Sequence, residues 1–181
     1  LLFSITSTLK TLRKQNHLRG EKSTWWYFIF RWPKDEMNAI TSFMNGTYRF
    51  EPIKTYNIKG ESGVVWTFKD RLLIKALLCI IKPLFKHIIS PSCFHIKGPS
   101  GVPLVLDLTQ KALEKGTFRY FIRADIKGYY ASIDRKILSE QTKELFNDFR
   151  VLNYLDQIIH IPIIENAAIT NPTTGIHRSY G

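Results

Sequence analysis

The chain has 181 residues, enough for one domain or one domain with an arm, and 44% of them are hydrophobic, an ordinary globular share. Its 26 Lys and Arg outnumber 15 Asp and Glu, for a formal charge of +11. The excess lies in residues 1–100, which carry 16 basic and 6 acidic side chains, whereas residues 101–181 carry 10 and 9. A basic half beside a balanced half predicts a polyanion-binding surface next to a metal-binding centre. The two cysteines, Cys79 and Cys93, do not form a disulfide framework. Cys79 falls in an apolar helical pattern and is expected in the core. Cys93 and His95 form a Cys-x-His pair with no second pair at zinc-like spacing. No uncharged apolar run reaches ~18 residues, so no transmembrane helix is expected. Residues 1–9 lack the pattern of a signal peptide. No membrane partner and a cytoplasmic location are therefore the expectation. The first residue is not Met and the last follows a turn-rich segment, so both ends read as cut from a longer reading frame.

Residues 1–22 are basic and polar, with Ile5, Leu9 and Leu12 at helical spacing, and read as a helix or arm. Residues 23–32 hold Trp25, Trp26 and Trp32, which are expected to pack rather than to stack on bases. Pro33 with Asp35 and Glu36 is a helix-start signal, and Asn45-Gly46 is a stop, giving a helix over 34–45. Residues 48–57 and 63–68 alternate as strands of a hairpin, joined by a turn over Lys59–Gly63. From Asp70, residues Leu72, Leu73, Ala76, Leu77, Ile80 and Ile81 share a broad apolar helical face, with Lys75 opposite. Pro83 is expected to kink or end that helix. Residues 96–102 read as a loop and Val102–Lys115 as a second helix stopped by Gly116. An apolar strand follows over 118–125. Asp134 is placed to cap a helix over about 135–147, with a further helix over 151–160. The order of elements predicts an α+β chain without internal repeats.

The chemistry gathers in residues 117–137. A strand would deliver Asp125 at its C-terminal end, and a turn at Gly128 would bring Tyr129 and Tyr130 back over the carboxylate. Such a site suits a metal ion facing a flat substrate. Nucleotidyl transfer uses two divalent ions about 4 Å apart, and Mg2+ takes oxygen ligands from one or two carboxylates plus phosphates. Asp125 would be a rigid ligand, and the backbone carbonyl of Ile126 could add a second oxygen.

The string Asp-Ile-Lys-Gly-Tyr-Tyr-Ala-Ser-Ile-Asp over 125–134 resembles the first catalytic motif of reverse transcriptases, closest to the bacterial branch of group II intron and retron-like enzymes. In that family the residue five positions after the aspartate packs against the sugar and excludes a 2′-hydroxyl, a role that maps onto Tyr130. Residues Lys69–Leu77 are similar to the Asp-Arg helix of the fingers. Residues Pro91–Gly101 are similar to a His-x-Lys-Gly-x-x-Gly loop, in which Lys97 would contact phosphate. Residues Thr174–Gly181 look like the start of a Gly-Ile-Pro-Arg-Gly template-positioning motif. The resemblance spans residues from about 40 to 181.

The resemblance implies the fingers and an incomplete palm of a right-hand polymerase: an arm over 1–32, a fingers-like region over 33–116 and a partial palm over 117–181. It implies an RNA-directed DNA polymerase using Mg2+ or Mn2+, with an RNA template, a DNA primer and deoxynucleoside triphosphates as partners. Asp125 would be the catalytic metal ligand together with the Ile126 carbonyl, and Tyr130 the sugar gate. Lys59, Lys69, Arg71, Lys97 and Arg178 would bind nucleic acid or triphosphate, and Gly175 and Ile176 would position the template. The sequence also departs from the family. His177 replaces the motif proline, Ser179 replaces its second glycine, and Val64 or Val65 stands where a fingers arginine often contacts the triphosphate. No aromatic-x-Asp-Asp string occurs in the chain. These departures imply that the 181 residues alone are inactive. They leave open a non-catalytic nucleic-acid-binding remnant and a basic protein-interaction domain.

Overall fold

The computed structural model describes residues 32–58, 61–90, 92–94, 101–116, 118 and 120–176. Helix α1, Trp32–Met44, has Pro33 and Asp35 in its first turn, where a missing N–H costs nothing and a carboxylate favours the helix dipole. It stops at Gly46, whose φ of 77° lets Thr47 N–H turn back to the Ser42 carbonyl at 2.9 Å. A Cβ on Gly46 would also meet the Arg150 side chain at 3.0 Å.

Strands β1, Ile53–Ile58, and β2, Glu61–Val65, pair antiparallel, with Tyr56 opposite Gly63. The hairpin is offset from the expected one: Glu61 and Ser62 lie in β2, not in the turn, and residues 48–52 and 66–68 are not strand. Pro52 cannot donate to a ladder, and the groups before it are engaged elsewhere. Glu51 N–H donates to Asp70 at 3.1 Å, Phe50 N–H donates to Gln157 at 3.1 Å, and the Tyr48 carbonyl accepts from Gln157 at 3.2 Å.

Helix α2, Phe68–Ile88, starts at a reciprocal cap. Asp70 N–H donates to Thr67 Oγ1 at 3.2 Å, and Thr67 Oγ1 donates to the Asp70 carboxylate at 2.7 Å. Pro83 does not end this helix, which continues to Ile88. The ring removes one hydrogen bond, but turns on both sides remain bonded, as in the Ile89 N–H to Phe85 carbonyl bond of 2.9 Å. Cys79, expected in the core, is exposed: the buried stripe passes through Leu72, Leu73, Ala76 and Leu77, and Cys79 and Leu78 fall on the other face. Helix α3, Gly101–Glu114, gives way to Gly116 at φ 64°.

The single-turn helix α4, Tyr129–Ser132, precedes α5, Arg135–Leu145, and α6, Phe149–Ile159. Asp134 caps α5 by accepting from Lys136 N–H at 2.8 Å and Ile137 N–H at 3.1 Å, as its position predicted. Asp148 caps α6 in the same way, and its hydrogen bond with the Arg150 side chain holds its carboxyl down to about 2. Because that value is depressed, the cap is fully charged above the usual carboxylate range and is lost only as pH falls towards about 2. Two strands that the sequence reading did not anticipate follow: β3, Ile163–Glu165, and β4, Ala168–Thr170. They are joined by Asn166 and Ala167 at φ 49° and 65°, the paired left-handed geometry of a tight hairpin turn.

The strands form one mixed sheet in the order β2-β1-β3-β4, with β1 and β3 parallel at Ile53 opposite Ile163. The architecture is α+β. The described residues fall into two compact units, one from residues up to 80 with 128–176 and one from residues 81–127. In the first, Ile40, Phe43, Phe50, Ile53, Leu72, Leu73, Tyr154 and Ile163 are buried. Each such large side chain contributes roughly 1.5–3 kcal/mol on burial. Tyr154 stacks on Phe43 with centroids 4.3 Å apart and donates its hydroxyl to the Phe43 carbonyl at 2.7 Å.

In the second unit the expected strand over 118–125 is absent among the described residues: 118 and 120–126 have no regular structure. Phe121 and Ile122 are 81% and 88% exposed. The sequence has strand propensity here, but a lone strand leaves its backbone donors and acceptors unpaired, and no described segment pairs with it. No helix among the described residues is long and apolar enough to cross a membrane.

Asp70 is fully buried and accepts from Tyr48 Oη at 2.6 Å, from Thr67 and from Glu51 N–H. Asp70→Ala should therefore destabilise the chain by about 3 kcal/mol or more, because buried donors lose their acceptor. Urea unfolding followed by far-UV circular dichroism measures this. Asp70→Asn, which keeps one oxygen acceptor, should cost less.

Candidate functional site

Asp125 and Ile126 lie in the exposed, irregular stretch of the 81–127 unit. Asp125 makes no hydrogen bond or ion pair with another described residue, and Ile126 is 64% exposed. In the same unit, α3 and the following segment line an apolar groove of about 390 Å³ with Val105, Leu108, Ala112, Phe118 and Tyr120. Among the described residues its lining carries no cationic side chain.

Gly128, at φ 66°, opens the α4 turn and carries Tyr129 and Tyr130. The two rings meet edge to face, 5.2 Å apart, and both are about half exposed. A ring so presented can act as a wall without offering a hydrogen bond. Residues 173–176 fold against this turn. Ile176 N–H donates to the Tyr130 carbonyl at 2.8 Å, and Gly175 N–H donates to the Ile133 carbonyl at 2.8 Å. Thr174 forms a bridge with Asp134. Gly175 has φ 80°, and a Cβ there would meet the Ala131 carbonyl oxygen at 3.2 Å, so both its conformation and its clearance favour glycine. Tyr130, Gly175 and Ile176, three of the sequence-derived site residues, are thus brought together.

The basic candidates are more scattered. Lys69, in the first turn of α2, places its ammonium 5.6 Å from the Tyr48 ring centroid, a cation–π distance. Arg71 is one turn before Lys75, whose pKa is lowered first by burial and then by the Arg71 charge. Lys59, Lys97 and Arg178 lie outside the described residues, as do His95, Trp25 and Trp26.

Sequence reasoning missed Arg135. Its side chain is 1% exposed, with Nε 2.7 Å from the Gly175 carbonyl and Nη1 3.3 Å from the Ile161 carbonyl. The signal was faint: a basic residue immediately after a helix cap reads as solvent-facing.

Among the described residues no three His, Cys, Asp or Glu side chains stand close enough together to hold a metal ion. Asp125 fits one ligand position of a Mg2+ ion that takes its other oxygens from phosphates and water. One carboxylate does not make a two-ion site.

No family model and no curated protein matches the sequence. Six chains of solved structures match the fold. One belongs to a structure described as "Partial Cas6-RT-Cas1--Cas2 complex", with a TM-score of 0.54 and 18% identity over 97% of this chain and 30% of that one. Another, described as "Cas6-RT-Cas1--Cas2 complex", has the same TM-score, identity and coverage of this chain, and is spanned over 19% of its length. The chain thus spans under a third of those chains, and the likeness is one of fold.

Proposed function

We propose that the chain is the fingers and first part of the palm of an RNA-directed DNA polymerase, with residues 33–116 as fingers and 117–181 as palm. The observation that carries this reading is the hydrogen-bonded meeting of the Tyr129–Ser132 turn with residues 173–176. Two stretches that resemble separate motifs of one active site are held together there, about forty residues apart in sequence. The shared fold with chains of complexes whose names include RT supports it.

In this reading the full enzyme of which the chain is part adds deoxynucleotides to a DNA primer on an RNA template. Bound Mg2+ or Mn2+ supplies Lewis acidity at the reacting phosphate. Asp125 and the Ile126 carbonyl would hold oxygen-ligand positions, and further carboxylates would be required to complete them. Tyr130 presents its ring to the 2′ position of the incoming sugar and rejects ribose by contact. The Gly175–Ile176 turn supports that ring and faces the template. Lys69 and Arg71, with Lys59, Lys97 and Arg178, neutralise phosphates.

Binding of an RNA–DNA primer–template by the 181-residue chain should weaken with salt, with a log–log slope of roughly −0.7 to −0.9 per phosphate contact. Charge reversal at Lys69, Arg71 and Lys97 should flatten that slope in fluorescence anisotropy titrations. Salt-independent binding, or none at low salt, would favour a protein-interaction domain.

The chain alone should give no primer extension above an Asp125→Asn control in the presence of Mg2+ and deoxynucleotides. Extension that depends on Asp125 would mean that acids such as Asp107, Asp134 or Glu165 complete the site. Asp134 is already engaged as the cap of α5.

In a chimera that supplies an aromatic-x-Asp-Asp palm hairpin, Tyr130→Ala should admit ribonucleotides while deoxynucleotide incorporation is largely kept. Gel-based extension with each nucleotide type reads this directly, and unchanged discrimination would remove Tyr130 from the role.

A further inference from the structure

Helix α4 has four residues, and its first residue follows a glycine without a side-chain cap. One turn of helix is not stable by itself, since nucleation fixes several dihedral angles for one hydrogen bond. The turn is also exposed, with no buried residue of its own to hold it. Its position therefore depends on anchors outside it. Those anchors are the Ile176 N–H bond to the Tyr130 carbonyl and the Gly175 N–H bond to the Ile133 carbonyl.

Residues 173–176 in turn need support. The side chain that reaches them is Arg135, which heads the large, fully buried side chains among the described residues. Its backbone N–H donates to the Thr173 carbonyl at 3.2 Å, and its Nε donates to the Gly175 carbonyl at 2.7 Å. Nη1 reaches the Ile161 carbonyl at 3.3 Å. Ile161 leads through Pro162, whose carbonyl accepts from Ile53 N–H at 3.0 Å, into the β1–β3 pairing. Among the described residues no carboxylate pairs with this guanidinium, and burial pulls its pKa below the usual arginine value. A buried cation held among the described residues by carbonyls alone is costly, and its planar fork presents donors in fixed directions, whereas the three donors of an ammonium rotate on a flexible stem.

We infer that Arg135 is a positioning residue, which clips the Gly175–Ile176 turn to the sheet and so fixes Tyr130 as a wall. The second part of this rests on the reading of Tyr130 as the sugar gate. Arg135 is only 1% exposed, so its side chain is placed to act on the turn and not on a bound molecule. It acts through the Gly175 carbonyl and the peptide that follows it.

The test uses the 181-residue chain and needs no turnover. Amide exchange by heteronuclear NMR is compared at Gly175 and Ile176, which the clamp holds, and at Ile53, which reports the sheet. In Arg135→Met the Gly175 and Ile176 amides should exchange about tenfold faster or more, with Ile53 unchanged, because only local bonds are lost. Arg135→Lys should restore part of the protection. Saturation-transfer NMR with a deoxynucleoside and a ribonucleoside triphosphate, in the presence of primer–template, supplies the second readout. The wild-type chain should prefer the deoxy sugar, and Arg135→Met should narrow that preference as Tyr130→Ala does. Unchanged exchange at Ile176, an equal rise at Ile53, or a retained sugar preference in Arg135→Met would overturn the inference. Faster local exchange in Arg135→Met without any sugar preference in the wild type would support the clamp and instead remove Tyr130 from the gate.

Discussion

One stripe on helix α6 holds that helix to the C-terminal end of α1 and the segment that follows it. Arg150, Asn153, Tyr154 and Gln157 lie at helical spacing i, i+3, i+4 and i+7, so they project from one face. They donate to the carbonyls of Met44, Gly46, Phe43 and Tyr48 at 3.2, 2.9, 2.7 and 3.2 Å. Gln157 also accepts from Phe50 N–H, and Arg49 donates to Asn153 at 3.3 Å. The last carbonyls of α1 and the irregular segment after it lack partners within a helix or sheet, and each such group left unpaired when buried costs about 1–3 kcal/mol. The stripe meets that need, and Asp70 meets the rest from the α2 side.

The consequence runs toward the site. With α6 held against residues 43–50, the chain leaving its C-terminus at His160 enters β3 beside β1, in parallel register. Ile161, on the way into β3, accepts from Arg135, and Arg135 reaches the turn that carries Gly175. The path from the core to the Tyr130 turn thus consists of directional polar contacts between segments remote in sequence. Hydrophobic burial holds the scaffold, and hydrogen bonds set the angles. Among the described residues the Asp125 stretch takes part in none of these hydrogen bonds, and its Phe121 and Ile122 side chains are exposed.

Local chemistry was legible in the sequence and non-local pairing was not. Pro33 and Gly46 marked the ends of α1, Gly116 marked the end of α3, and Asp134 was assigned as a cap, because each effect acts within a turn of helix. The β1–β2 hairpin was found, but its limits depended on Gln157 and Asp70, over a hundred and about twenty residues away from the bonded groups. The strands β3 and β4 were missed because Asn-Ala is a weaker turn signal than Asn-Gly, and each strand has only three residues. The strand expected over 118–125 failed for the opposite reason: its composition favours a strand, but a strand requires a neighbour. In the candidate site, Tyr130, Gly175 and Ile176 were legible as motif residues, whereas Arg135 became visible only through its carbonyl partners.

The central claim is that the turn around Tyr130 and the residues bonded to it face the growing end of a nucleic acid strand. Photocrosslinking tests this most directly, with a photoreactive nucleotide at the 3′ end of a DNA primer annealed to RNA, followed by peptide mapping of the attached residues. The account predicts attachment within residues 125–133 or 173–178, reduced by competing unmodified primer–template. Attachment confined to other segments, such as the exposed face of α3, or no attachment under conditions where the chain binds the duplex, would contradict it.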